Sequence, residues 1–221
     1  MKLKDKINTI LYYQDNCITT PECFATLLEW ADDEDCFVRE MVAAHLGNFS
    51  GTASKNLLLC MATDIDAWVR AEALDSLSAF PCEEVLEFLK ERCNSETDIM
   101  ARSYAILAWS DIAMQLRIEP NVSMVFAKEK YICEQEPECK LSWCYSLYRF
   151  GCDEYLERLL SFLQDVNYQI QCKAMSLLED VRTPHNNALI AKHIESLLAS
   201  SSCEAVVSRA DLLLKELKKS F

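Results

Sequence analysis

The residues of this chain that could take part in chemistry are mainly carboxylates that recur in groups. Asp32 to Asp35 are four consecutive acidic residues, and similar groups follow about thirty positions apart. One carboxylate can cap a helix N-terminus, but four adjacent like charges exceed what a cap needs. We therefore predict an acidic edge that docks a basic partner. Its candidate residues are Asp32, Asp33, Glu34, Asp64, Asp66, Glu96 and Asp98.

A second candidate surface is a small basic and aromatic cluster in an otherwise acidic chain. Lys128, Lys130 and Tyr131 lie close together, after a stretch around residues 115–121 that lengthens the spacing of the sequence pattern described below. Extra length of this kind is usually a longer helix and loop, although insertions also tend to lie on binding faces. We predict that these three residues contribute to partner binding.

The sequence contains no residue pattern typical of a metal site or of a catalytic nucleophile. His185 and His193 are eight residues apart, too far along one helix to share an ion. The densest cysteine group has spacings of 6, 5 and 8 rather than those of zinc knuckles, over Cys133, Cys139, Cys144 and Cys152. No Gly-x-Ser-x-Gly motif occurs. We therefore predict no metal site, no cofactor and no catalytic residues.

The composition favours an all-α fold. The 221 residues are 51% hydrophobic, enough for a sizeable core, but include only 3 glycines and 5 prolines. That is too few turn residues for a fold of many short strands. The glycine motifs of Rossmann and P-loop phosphate sites are also absent.

Charge and apolar runs limit the classes of partner and compartment. The formal net charge is −13, and residues 1–110 hold 9 basic against 19 acidic residues. Nucleic-acid binding relies on Lys and Arg, so we expect a basic protein partner and no nucleic acid. No apolar run is long enough for a signal peptide or a membrane span. We expect a cytoplasmic protein with mostly buried thiols and no disulfides among its 12 cysteines.

Apolar periodicity and helix punctuation predict thirteen short helices. All five prolines lie where helices start, Thr20 and Thr183 are expected N-caps, and Gly47 and Gly151 are expected left-handed helix ends. The predicted helices cover residues 3–14, 20–31, 36–48, 53–62, 66–79, 82–93, 98–115, 121–134, 138–150, 153–164, 167–181, 185–199 and 203–218.

One sequence pattern recurs along these helices. Asp35-Cys-Phe-Val-Arg39 is followed by Asp66-Ala-Trp-Val-Arg70 and by Asp98-Ile-Met-Ala-Arg102, with weaker copies later in the chain. A repeat of about thirty residues holds one helix pair and must stack on its neighbours to bury its apolar face. We therefore predict an α-solenoid of about five to six antiparallel helix pairs over 1–221 as a single domain. An N-terminal pair at 1–32 precedes repeats from about 35, 66, 98, 138 and 167, and a capping helix at 203–218 ends the stack.

The pattern Asp-x-x-Val-Arg-x-x-Ala-x-x-x-Leu resembles HEAT repeats, and looks most like the short bacterial type found in phycobilisome lyase-like proteins. The resemblance implies a ladder in which Asp35, Asp66 and Asp98 pair with Arg39, Arg70 and Arg102. These arginines are replaced at Ser142, Gln171 and Val207, so the ladder is expected in the N-terminal half. No His-Glu pair occurs, which removes the pattern of the HEAT-like di-iron hydroxylases.

Two classes of function are compatible with this resemblance. The first is a non-catalytic scaffold or adaptor that binds a protein through the acidic edge and a groove lined by the second helices, with an inhibitor or immunity protein for a basic partner as one form. The alternative is an enzyme, either bilin lyase-like or DNA glycosylase-like. A glycosylase would use aromatic side chains on a basic concave face, but the balance of charge is acidic and we expect all four tryptophans to pack between helices.

Overall fold

The computed structural model describes residues 1–219, and helices are the regular structure throughout this part of the chain, which confirms the all-α class. Two short 3-10 turns, Leu77–Ala79 and Phe162–Gln164, continue α5 and α10. The helices are α1 Leu3–Asp15, α2 Pro21–Trp30, α3 Cys36–Leu46, α4 Thr52–Met61, α5 Ala67–Ser76, α6 Glu83–Ser95, α7 Ile99–Gln115, α8 Pro120–Cys133, α9 Pro137–Arg149, α10 Glu154–Ser161, α11 Tyr168–Asp180, α12 Asn187–Ser200 and α13 Glu204–Lys219.

Side-chain caps begin the helices that carry the repeated pattern. Asp35 Oδ1 accepts from the Phe37 N–H at 2.9 Å, Asp66 Oδ1 does the same for Trp68 at 2.9 Å, and Asp98 Oδ1 accepts from Ala101 at 3.0 Å. Each cap satisfies a backbone donor that the helix itself leaves unpaired. Thr20 caps α2 as predicted, by accepting from the Cys23 N–H at 3.3 Å.

Several of the punctuation predictions are wrong. Pro81 and Pro184 lie two and three residues before α6 and α12 rather than at their first positions. Thr183 does not cap α12, which starts only at Asn187 after a turn closed by the bond from the Thr183 N–H to Asn186 Oδ1 at 2.7 Å. Gly47 has a right-handed φ of −60°, whereas Gly151 is left-handed at +97°. Gly47 instead lies at a close approach to α5, because a Cβ there would lie 3.0 Å from Ser76 Oγ, closer than most Cβ contacts.

The described chain divides into two compact units, Met1–Glu119 and a second that begins at Pro120. That residues 1–221 form a single domain stays a prediction. In the first unit α1, α3, α5 and α7 form one layer, in which α3 packs on α1 and α5, and α5 packs on α7. The core between this layer and α2, α4 and α6 is aliphatic and fully buried, with Leu27, Val38, Leu46, Leu58, Leu74 and Leu89 among its members.

The second unit repeats the same construction. Its first-layer helices α9, α11 and α13 pack in sequence order, α10 packs on α9, and α12 packs on α13. Trp143 on α9 is 1% exposed, and Phe126 on α8 meets its ring edge to face at 5.8 Å. Sequential packing of helix pairs within each unit is the α-solenoid construction that the repeat predicts. In the part of the chain described, every helix is too short or too polar to cross a bilayer.

Candidate functional site

A ladder of ion pairs links the turns of the first unit. Lys6 pairs with Asp33, the Arg39 guanidinium donates to both oxygens of Asp64 at 2.8 Å, and Arg70 donates to both oxygens of Glu96 at 3.0 Å. Two parallel bonds between planar groups fix the geometry as well as the charge. Each cation therefore ties its own repeat to the following turn.

The same arginines also hold their own turns. Arg39 Nη1 donates to the carbonyl of Asp33, six residues earlier, at 2.7 Å, and Arg70 and Arg102 make the equivalent bond at 2.9 Å. In the second unit Gln171 Nε2 makes it to the Asp165 carbonyl at 2.8 Å. The Gln171 amide thus makes the bond to the backbone carbonyl, without the ion pair, where the repeat has lost its arginine.

The predicted partners of the ladder are corrected. Asp35, Asp66 and Asp98 do not pair with the arginines, because their side chains are held by the N–H groups at the start of their own helices. The carboxylate two positions before each cap is the one that meets the cation of the preceding repeat, Lys6 for Asp33 and an arginine for Asp64 and Glu96. That carboxylate also accepts from the N–H of the cap residue, at 2.8 Å for Asp64 and 3.0 Å for Glu96.

This arrangement removes most of the predicted acidic edge. Glu96 is 4% exposed and contacts both Arg70 and Arg92. Burial alone would raise the pKa of its carboxyl, but the hydrogen bonds from Arg70, Asp98 and Arg92 outweigh it and lower the pKa to about 2. Asp33, expected among the freest residues, is bound by Lys6 and by the Asp35 N–H, so that expectation is wrong. Asp32 and Glu34 are exposed.

Apolar side chains project where the acidic edge was expected. Trp68 is 61% exposed, Phe37 is 48% exposed at the equivalent position of the preceding repeat, and Ile65 in the turn before α5 is 93% exposed. Trp30, Trp109 and Trp143 are at most 5% exposed, so packing between helices is confirmed for those three and wrong for Trp68. Large exposed apolar side chains on neighbouring repeats are typical of an interaction surface.

Glu40 lies three residues after Phe37 and Glu72 four residues after Trp68, so these carboxylates share a side of α3 and of α5 with the exposed aromatic residues. Burial, and then the charges of Asp75 and Glu40, raise the pKa of Glu72 to about 7. Burial and the charge of Asp66 also raise the pKa of Glu40. The charge of Glu40 on α3 contributes to the raised pKa of Glu72 on the neighbouring helix α5, so the two carboxylates interact electrostatically. We call Phe37, Glu40, Trp68, Glu72 and Asp75 the aromatic–acidic face.

In the second unit the predicted basic cluster is engaged within the unit. Lys128 Nζ lies 3.6 Å from Glu154, and Lys130 Nζ lies 5.5 Å from the centre of the Phe126 ring. Tyr131 accepts a hydrogen bond from Arg158 at 2.9 Å. The contacts of Lys128 and Tyr131 join α8 to α10, whereas the contact of Lys130 lies within α8.

The thiols are less buried than expected. Five of the twelve free cysteines are buried, three are partly buried, and four are exposed, namely Cys17, Cys36, Cys60 and Cys133. Burial raises the pKa of Cys144 to about 12, so this thiol is a poor nucleophile. Among the described residues no group of three or more His, Cys, Asp and Glu side chains is arranged to hold a metal ion.

The comparison with protein families agrees with the repeats of the first unit. The family model of HEAT repeats matches residues 24–110, which confirms the HEAT repeats there. No curated protein matches the chain in sequence. Human deoxyhypusine hydroxylase in complex with glycerol is similar in structure, with 15% identity over 99% of this chain and 92% of that one, and a TM-score of 0.47. The complex of CpcE and CpcF of phycocyanin lyase from a Nostoc species shows 13% identity over 90% and 95%, and a TM-score of 0.46. At these values neither likeness bears on activity.

Proposed function

We propose that the chain, whose residues 24–110 are HEAT repeats, is a non-catalytic scaffold that binds a basic protein through the aromatic–acidic face. The observation that carries this proposal is the exposure of Trp68 and Phe37, at 61% and 48%, beside Glu40 and Glu72, whose pKa values are raised by burial and by other carboxylates. HEAT repeats generally mediate protein–protein interaction. This places the docking surface on the first helices of the repeats, rather than in the groove of second helices expected from the sequence.

A bound partner would cover the exposed aromatic side chains of this face and neutralise its carboxylates. Tryptophan is among the residues that contribute most to binding at interfaces, where truncation costs about 2 kcal/mol or more. A lysine or arginine delivered by the partner would neutralise Glu40 and Glu72, whose pKa values are raised by burial and by the charges of nearby carboxylates. The net charge of −13 would also speed encounter with a basic surface.

The biological form of such binding is either an adaptor, which holds the basic protein next to another, or an inhibitor that covers its functional surface. Both forms use the same face and the same chemistry. They differ in whether the bound protein keeps its activity, so an activity assay of the captured partner with and without this chain separates them.

Comparative affinity capture tests the proposal. The full chain, Trp68→Ala and Leu28→Ala are immobilised, and proteins retained from extracts of the native organism are identified. Leu28 is a matched control because it is 53% exposed on α2, outside the face. We expect proteins of high isoelectric point that the wild type and Leu28→Ala retain and Trp68→Ala loses. The same proteins on all three, or only acidic proteins, would contradict the proposal.

A further inference from the structure

The ladder sets the alignment of the first-layer helices in the first unit. Equivalent positions of the first-layer helices are occupied by Lys6, Arg39, Arg70 and Arg102. Each arginine donates to a carbonyl six residues earlier, in the turn before its own helix, and Lys6 pairs with a carboxylate in the turn of the following repeat. In this alignment the outward positions of α1, α3, α5 and α7 share one surface. The positions equivalent to Phe37 and Trp68 are Lys4 on α1 and Met100 on α7, and each follows an exposed apolar residue, Leu3 or Ile99.

Exposed apolar side chains occur on all four of these helices. Leu3 and Leu11 on α1 are 46% and 42% exposed, and Ile99 and Met114 on α7 are 39% and 40% exposed. Together with Phe37 and Trp68 they form exposed apolar positions on every first-layer helix of the unit. Helices packed in this way lie about 8–10 Å apart, so the surface extends about 30 Å across the layer.

The spacing fits a partner helix that lies across the layer. At a rise of about 1.5 Å per residue, one step of about 8–10 Å between neighbouring helices equals about five to seven residues, or somewhat less than two turns. About twenty residues of α-helix cover the four helices. Apolar side chains that recur once every two turns on one face of such a helix would meet one repeat after another.

An extended partner segment is disfavoured by the polar groups of the surface. The outward positions of α3 and α5 carry Phe37, Glu40, Trp68 and Asp75, with alanines between them, and no Asn, Gln or Lys. Carboxylates accept hydrogen bonds but cannot donate them. The backbone carbonyls of an extended chain need hydrogen-bond donors, and among these positions only the Trp68 indole is a strong donor. A helix does not need such donors, because it pairs its own backbone groups.

We infer that the occupant of this surface is a basic amphipathic α-helix of about twenty residues, with its apolar face on Phe37 and Trp68 and its Lys or Arg side chains toward Glu40 and Glu72. This inference rests on the proposed function and adds the conformation, length and pattern of the partner segment. The carboxylates lie beside the aromatic residues, so the basic residues of the helix flank its apolar face.

A random library of displayed 20-residue peptides, selected on the full chain, tests the inference. Binders are counter-selected on Trp68→Ala, and the selected peptides are synthesised. We expect an apolar period of three to four residues with flanking Lys or Arg, and helix formation on binding in circular dichroism. A central proline should weaken binding at least tenfold, because it breaks the helix. Trp68→Ala should weaken it at least tenfold and Leu28→Ala less than twofold.

The possible results separate the inference from the proposed function. Peptides that lose affinity on Trp68→Ala, yet tolerate a central proline and gain no helix, would overturn the helical partner and leave basic-protein binding standing. No peptide sensitive to Trp68→Ala, or an acidic consensus, would overturn both. The double variant Glu40→Gln/Glu72→Gln should weaken the selected peptides several-fold and reduce their salt dependence, while Glu91→Gln on α6 should leave both unchanged.

Discussion

Removal of Arg70 is the sharpest test of the ion-pair ladder. In Arg70→Met the side chain keeps its apolar stem but no longer donates to Glu96, which is 4% exposed. Removing one partner of a buried ion pair costs about 3–5 kcal/mol, because the other charge remains buried. Arg92 still contacts Glu96, so we expect a loss of about 2–3 kcal/mol.

Urea denaturation followed by circular dichroism measures this loss. With a typical slope of about 1–3 kcal/mol per molar urea, the midpoint should fall by roughly 1 M or more. Lys55→Met is the matched control, because its partner Glu84 has a side chain that is 60% exposed. Exposed pairs contribute about 0–1 kcal/mol, so this control should hardly change the midpoint.

The dependence on pH gives a second readout of the same pair. The pKa of Glu96 is lowered from 4.5 to about 2 in the folded chain, so its stabilisation is full above pH 4.5 and is lost as the pH falls toward 2. The difference between the wild type and Arg70→Met should shrink over that interval. A loss below about 0.5 kcal/mol at pH 7, or strict additivity with Glu96→Gln in a double-mutant cycle, would refute the ladder as a stabilising element.

Three further predictions concern other groups. Because the pKa of Glu72 is raised to about 7, the folded chain loses stability as the pH rises from about 4.5 to 7. Glu72→Gln should therefore raise the melting temperature at pH 8 but not at pH 4, and equal shifts at both pH values would contradict this. Asp33→Asn should lower stability, while Asp32→Asn/Glu34→Gln should change it by less than about 0.5 kcal/mol, as thermal unfolding would show. A thiol reagent should count twelve groups in non-reducing denaturant and four fast ones in the folded chain, Cys17, Cys36, Cys60 and Cys133; a lower total would indicate disulfides.

The sequence predicted the helices well because the signals that start and end them are local. Asp35, Asp66 and Asp98 cap helices through contacts two or three residues away, so their effect can be read from neighbouring positions. Periodicity likewise identified the repeat and its length. The errors at Gly47 and Thr183 arose where packing on α5 or a tertiary turn, rather than local preference, decided the backbone.

The sequence identified the ladder arginines but assigned them to the wrong carboxylates. Asp64 and Asp66 are both acidic and two residues apart, and sequence spacing cannot tell which one a neighbouring repeat reaches. Stacking decides it, because Asp66 is held by its own helix while Asp64 points to Arg39. The predicted acidic edge was thereby largely neutralised.

Composition, local helix signals and the thirty-residue period were sufficient to determine an all-α chain of stacked helix pairs with an acidic surface. Only the tertiary structure decided what that surface offers to a partner. Exposure of Trp68 depends on which side of the first layer a neighbouring helix covers, and the raised pKa of Glu72 depends on Glu40 from another helix. Burial and electrostatic interaction are set by residues distant in the sequence, so these properties appear only when the repeats are stacked.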